Sequence, residues 1–177
     1  MRKVLSVITI AVILLSVCQT EYKKEIETLK KELAMKRQIA DRNKANALAF
    51  LKALEAENVE SIIELFDDNA KHINPYHSGL FPTGSEGKDG IRAYWAPVFP
   101  NFDGMTFDIR EIYAMEDPNM VFVKYKGDIK LKDNAGVYSN DYYSTFTFNK
   151  EGKITEYVEI FNPIVAAKGF GMLDKIK

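Results

Sequence analysis

Gly152-Lys153-Ile154-Thr155-Glu156-Tyr157-Val158-Glu159-Ile160-Phe161-Asn162-Pro163 is the stretch whose reading decides the fold. It is a β-pattern closed by an Asn-Pro stop. Period 2 puts Tyr157, Glu159 and Phe161 on one face and Ile154, Glu156, Val158 and Ile160 on the other. A carboxylate between two aromatics on a strand is either a rim charge or an acid/base in an apolar pocket. Three similar runs precede it, Met105 to Met115, Asn119 to Leu131 and Val137 to Asn149. Short segments of turn formers separate them (Asp117-Pro118-Asn119, Asp133-Asn134-Ala135-Gly136, Asn149-Lys150-Glu151-Gly152), which predicts antiparallel hairpins.

Helical patterns come first in the chain. Ala47, Phe50, Leu51 and Leu54 make one apolar helical face, and Asn58 is placed to cap a second helix over Val59 to Phe66. Ala70 to Asn74 reads as a short strand and Pro75 to Gly90 as a loop. A helix through Ile91, Tyr94 and Trp95 follows, with Asp89 as its candidate N-cap. Val165 to Ile176 reads as a short C-terminal helix or tail. Helices followed by a meander of long strands give an α+β class. Strands of this length must twist, and helices on one face then close a cone with a pocket at its mouth.

The N-terminal part has a different character. Arg2 and Lys3 precede an uncharged run from Val4 to Val17, too short for a membrane span of about 20 residues but normal for an export leader. Leu15-Ser16-Val17-Cys18 resembles a bacterial lipoprotein box, departing from it at Val17. The expectation is export to the bacterial periplasm or outer membrane, with Cys18, the single cysteine, as the lipidated residue and the membrane anchor. Residues 1–18 are then the leader, 19–42 a charged helical spacer, and 43–177 the folded domain. Within the spacer, Tyr22, Ile26, Leu29 and Leu33 recur at helical spacing. Residues 21–44 hold eight cations against five anions. This segment is either a solvated spacer or a short dimerising coiled coil. The whole chain has a net charge of -1, with no basic excess to suggest nucleic acid.

Three local signatures resemble one family. Phe50 to Ile62 is similar to its helix–break–helix opening. Leu65-Phe66-Asp67-Asp68-Asn69-Ala70-Lys71-His72-Ile73-Asn74-Pro75, continued by Gly87 to Trp95, is similar to its acidic turn, strand and third helix. Gly152 to Pro163 is similar to its closing strand. Together they resemble the nuclear transport factor 2-like superfamily, in its SnoaL-like and ketosteroid-isomerase-like branch, over about residues 43–174. The resemblance implies a cone-shaped, curved, mainly antiparallel sheet with helices on its concave face. It also implies a pocket for a small apolar molecule, and a homodimer. Members include cofactor-free isomerases, cyclases and hydratases as well as binding domains without chemistry, so fold alone supplies no activity.

The resemblance also assigns positions. In the ketosteroid-isomerase pattern the base is an Asp before the Pro. Here that position is Asn74, and an amide cannot take a proton. His72 shares a strand face with Asn74, and with Glu159 it resembles the His–Glu pair of some SnoaL-like and phenazine-pathway relatives. An imidazole is suited to proton transfer near neutral pH. The opposing readings are a packed histidine and a Glu159 paired with Arg92, Arg110 or a lysine. Asn74, His77, Tyr94, Trp95, Tyr125, Tyr143 and Phe161 are the expected ligand-binding residues, with the Tyr125 and Tyr143 hydroxyls directed inward. No cofactor is expected. Pro75 removes the helix on which His72 and His77 would share a face, so no metal site is expected either. Three readings stay open: a domain binding a small apolar ligand, an acid/base enzyme using His72 and Glu159, and an envelope interaction module.

Overall fold

The structure is a computed structural model that describes residues 19–133 and 136–176 in full, and residues 2–18 and 134 by backbone alone. The expected leader and the Cys18 side chain lie outside the fully described residues. Among the described residues, no helix is long and apolar enough to cross a membrane. The chain divides into two compact units, Met1–Gln38 and Ile39–Lys177. Helix α1 (Arg2–Glu55) runs through the described residues of the first and opens the second.

In the second unit α1 is followed by α2 (Val59–Leu65), β1 (Phe66–Ile73), β2 (Gly84–Glu86), α3 (Gly87–Trp95), β3 (Phe102–Ala114), β4 (Met120–Leu131), β5 (Gly136–Phe148), β6 (Ile154–Phe161) and α4 (Pro163–Gly169). The six strands form one curved, unclosed sheet in the order β2-β1-β6-β5-β4-β3. Every pairing is antiparallel except β1 with β6, so the sheet is mixed. The α+β class and the long N-terminal helix stand as expected. Asn58 does cap α2, its side chain accepting from the Ser61 amide at 3.0 Å.

Several boundaries differ from the sequence reading. β1 starts at Phe66, so Asp67-Asp68-Asn69 lies within a strand rather than ending a helix. Phe66, Ala70 and His72 are its buried residues, and their burial, not the polarity of the acidic residues, fixes the strand. β2 lies inside the segment read as a loop. Gly84 sits there at φ +131, where a Cβ would come within 1.9 Å of the His72 carbonyl oxygen, so only glycine admits this close pairing. α3 begins at Gly87, which puts Asp89 in its first turn and not at its cap. The C-terminal helix stops at Gly169, because Gly171 takes φ +65 and turns the chain into a short 3-10 turn at Leu173–Lys175.

The core lies between α1 and the inner face of the sheet. Phe50 is fully buried, and its ring meets Phe66, Trp95, Phe146 and Tyr157 at centroid distances of 4.8–6.3 Å. The same helix is tied to the hairpin turns through its polar side. Arg42 Nη1 donates to the Lys150 carbonyl at 2.7 Å, Asn46 Nδ2 to the Gly152 carbonyl at 2.8 Å, and Asn43 Nδ2 to the Pro118 carbonyl at 3.0 Å. The outer face carries cross-strand ion pairs instead, Lys124–Glu111 at 2.8 Å and Arg110–Asp141 at 3.2 Å. Truncating Phe50 leaves a void that α1 and the sheet cannot both collapse around. Phe50→Ala is expected to lower the unfolding free energy by about 3–5 kcal/mol, read from the urea midpoint at unchanged slope. A loss below about 1 kcal/mol would mean that Phe50 does not join helix to sheet.

Candidate functional site

The parallel pairing of β1 with β6 brings the two expected acid/base residues together. His72 lies opposite Tyr157, so Glu159 is the next inward residue along β6. His72 Nε2 and Glu159 Oε2 are 3.3 Å apart, with the imidazole fully buried and the carboxylate side chain 10% exposed. The ring is held on three sides. Trp95 stacks at 5.7 Å and 10°, Tyr157 at 5.0 Å and 25°, and Tyr94 meets it edge-on at 4.4 Å. Against an ionised carboxylate, Nε2 is the nitrogen that donates. Nδ1 is buried without a hydrogen-bond partner among the described residues.

Among the described residues, Glu159 is not bound to an arginine. Arg92 pairs with Glu60 and Asp89, and Arg110 with Asp108 and Asp141. The Glu159 side chain lines a cavity of about 980 Å³, whereas His72 does not reach the lining. The cavity walls are mostly apolar: Leu54, Phe102, Met105, Phe107, Ile129, Phe161 and Phe170 line it, together with Tyr94 and Trp95. The volume is at the upper end of the range for small-molecule pockets. Lys132, Asp133 and Lys168 contribute polar lining.

Period 2 on β5 supplies the rest of the site. Tyr138, Asn140, Tyr142 and Ser144 alternate inward and are buried. Tyr138 and Tyr142 line the cavity, with their hydroxyls 3.1 Å apart. Asn140 Nδ2 donates to the Tyr138 hydroxyl at 2.7 Å and to the Asn162 carbonyl at 2.9 Å, fixing the end of β6. Tyr143 is the residue of this strand that the sequence pattern points to as ligand-binding. Tyr143 is on the outer face, 42% exposed, with the Lys124 ammonium 5.8 Å from its ring centroid. The charged Asp141 shares its parity, and that was the available signal that Tyr143 faces out.

The other expected ligand residues separate into two groups. Tyr94, Trp95 and Phe161 line the cavity. Asn74, Tyr125 and His77 do not. Asn74 is buried behind it, donating to the Tyr94 hydroxyl at 2.9 Å and the Pro82 carbonyl at 3.1 Å, so it positions Tyr94. Tyr125 is buried deeper, its hydroxyl 3.2 Å from both Ser144 Oγ and the Tyr157 hydroxyl. His77 belongs to the loop after Pro75, where its Nδ1 accepts from the Gly79 amide at 3.2 Å. Among the described residues, no three His, Cys, Asp or Glu side chains cluster as a metal site would need.

A profile of the SnoaL-like domain matches residues 47–157, well over half of the chain. The chain belongs to the SnoaL-like domain family. Its relative YesE of Bacillus subtilis (strain 168), a protein without an assigned function, is 26% identical over 122 residues, covering 69% of this chain and 82% of YesE. Among solved structures, an isomerase candidate of Bacillus subtilis superposes with a TM-score of 0.69 at 24% identity, over 75% of this chain and 94% of its own. A phenazine biosynthesis-related protein of Pseudomonas aeruginosa superposes with a TM-score of 0.69 at 17% identity, over 79% and 92%. At these identities the likeness establishes the fold of the SnoaL-like domain and no more.

Burial raises the phenol pKa values throughout the site, and the Glu159 charge raises them further. Tyr138 is pushed up to about 12. Tyr94, Tyr125 and Tyr157 are raised well above the ordinary tyrosine range for the same two reasons, desolvation first, and Tyr142 by desolvation, then the adjacent Tyr138, then Glu159. The folded state holds these protons more tightly, so their contribution is whole below the unfolded tyrosine value, about 10, and is lost as pH rises past it. Titration to high pH should therefore ionise these five phenols only as circular dichroism is lost. Tyrosinate absorbance that completes before any loss of structure would contradict the placement.

Proposed function

We propose that this SnoaL-like domain takes a small, largely apolar molecule into the cavity, and that Glu159 moves a proton on it without a cofactor, as in an isomerisation, cyclisation or hydration. One observation carries the reading. Glu159 is a carboxylate on a mostly apolar cavity lining, and among the described residues its ion-pair partner is the imidazole of His72, not a surface cation. A carboxylate on the cavity lining is placed to take a proton from a bound carbon acid and return it to another atom of the same molecule, so that no proton is gained or lost overall. The His72 Nε2 hydrogen bond orients one carboxylate oxygen and leaves the other for the ligand. The aromatic packing of His72 keeps that orientation fixed.

Asn74 lies at the family position where a base would stand, and its hydrogen bonds to Tyr94 and Pro82 assign it to holding the wall. The work of proton transfer therefore falls on β6. Tyr138 and Tyr142, protonated at neutral pH, are hydroxyl donors for an oxygen that gains negative charge. The names of the neighbours in fold, an isomerase candidate and a phenazine biosynthesis-related protein, are compatible with small-molecule chemistry of this kind.

The test uses exchange. Apolar cyclic ketones such as decalone and cyclohexenyl ketones are incubated in D2O, and α-proton exchange is followed by NMR. Binding is followed separately through the emission of Trp95, the single tryptophan, which lines the cavity. The expected result is exchange above the buffer rate that falls by about 100-fold or more in Glu159→Gln, with ketone binding retained. Binding with no exchange in either protein overturns the catalytic part. No change in Trp95 emission with any of the ketones, or with the apolar probe anilinonaphthalene sulfonate, overturns the cavity reading.

The reading extends to location. Arg2-Lys3, the apolar run to Val17 and Cys18 support export with a lipid on Cys18. Full-length protein made in a bacterial host should take up radiolabelled palmitate, and Cys18→Ala should abolish the label. Equal labelling of both proteins, or of neither, would refute lipidation at Cys18.

A further inference from the structure

The first unit carries an apolar stripe that its own fold does not cover. Tyr22 is 66% exposed, Ile26 38%, Leu29 56% and Leu33 70%. Their spacings of four, three and four residues are those of a coiled-coil seam, with Ile26 and Leu33 at one core position and Tyr22 and Leu29 at the other. The helix is already formed, since α1 runs unbroken through this segment. Lys36 falls on the next seam position and ends the apolar run.

The flanking charges say what covers the stripe. The residues that border the seam on one side are Glu25 and Glu32. Those on the other side are Lys23, Lys30 and Arg37. When two copies lie parallel and in register, the first side of one helix meets the second side of its partner five residues later. Glu25 then faces Lys30 and Glu32 faces Arg37, twice over by symmetry. In an antiparallel pair each side meets itself, setting Glu against Glu and Lys against Lys. The pattern favours one orientation and opposes the other.

We propose that residues 22–37 form a parallel, in-register coiled coil with a second copy of this chain. The Lys30–Glu27 pair at 3.0 Å within one helix is highly exposed on both sides and contributes little, so it does not hold Lys30 away from the partner. Two heptads make a weak zipper alone, which leaves the dimer dependent on the charge pairs and sensitive to salt.

The experiment uses the full chain in membranes or detergent under mild oxidation. Leu29→Cys places a thiol in the seam, and Lys31→Cys places one on the opposite side of the helix. Cys18 is common to both and sets the background. Leu29→Cys is expected to give an interchain disulfide dimer, with Lys31→Cys no higher than wild type. Adding Glu25→Lys and Glu32→Lys to Leu29→Cys should remove that dimer. Co-expression with a differently tagged Leu29→Cys chain carrying Lys30→Glu and Arg37→Glu should restore it between the two tags. Equal cross-linking from positions 29 and 31 overturns the seam. Cross-linking unaffected by the charge reversal overturns the orientation. A cross-linked product of another mass shows that a different protein occupies the stripe, and overturns the assignment to a second copy.

Discussion

A carboxylate can face an apolar cavity only if the wall behind it carries part of its charge. In this domain that wall is His72, 3.3 Å from Glu159 and clamped between the Trp95 and Tyr157 rings. Much of the site geometry serves this contact. β1 must run parallel to β6 to set His72 beside Tyr157. β2 must approach so closely that position 84 accepts only glycine. Asn74 must hold Tyr94 against the edge of the imidazole. Removing either member of such a pair leaves the other buried without its partner, which costs more than the pair contributes.

The same contact organises the electrostatics around it. Five buried phenols feel the Glu159 charge and keep their protons. A protonated phenol can donate one hydrogen bond while it accepts another, as the Tyr94 and Tyr138 hydroxyls accept from Asn74 and Asn140. The strand period distributes these roles. On β5 the inward residues are Tyr138, Asn140, Tyr142 and Ser144, while Ser139, Asp141 and Tyr143 belong to the outer surface with its ion pairs.

How far the sequence discloses this depends on the kind of signal. Hydrophobic period and turn chemistry locate the four long strands and α2, because burial on one face leaves a regular trace. The alternation in β6 correctly sets Tyr157, Glu159 and Phe161 inward. A bulge opposite Thr147 and Phe148 then brings Ile154 into the core with them, against its expected face. A bulge has no period and leaves no trace of its own. β2 is equally silent, since three residues, Gly84 to Glu86, offer too little pattern to separate a strand from a loop. Tyr142 and Tyr143 are adjacent and chemically alike, so a one-residue error in parity exchanges a cavity wall for a surface ring. That His72 stops short of the cavity could not be read from strand parity. Parity gives the face, and depth along that face is set by the aromatics packed above it.

A domain that only stored an apolar molecule would gain nothing from an acid in its wall. An apolar side chain at position 159 would bind such a ligand at least as well and spare the desolvation of a charge. The imidazole behind it, with one nitrogen buried and unpartnered among the described residues, adds a second cost of the same kind. Costs of this size persist where geometry over-determines them, and such places cluster at sites of chemistry. In this SnoaL-like domain the two costs coincide at one contact, and that contact borders the cavity. The proposed proton transfer accounts for both costs at that contact, and storage of an apolar molecule accounts for neither.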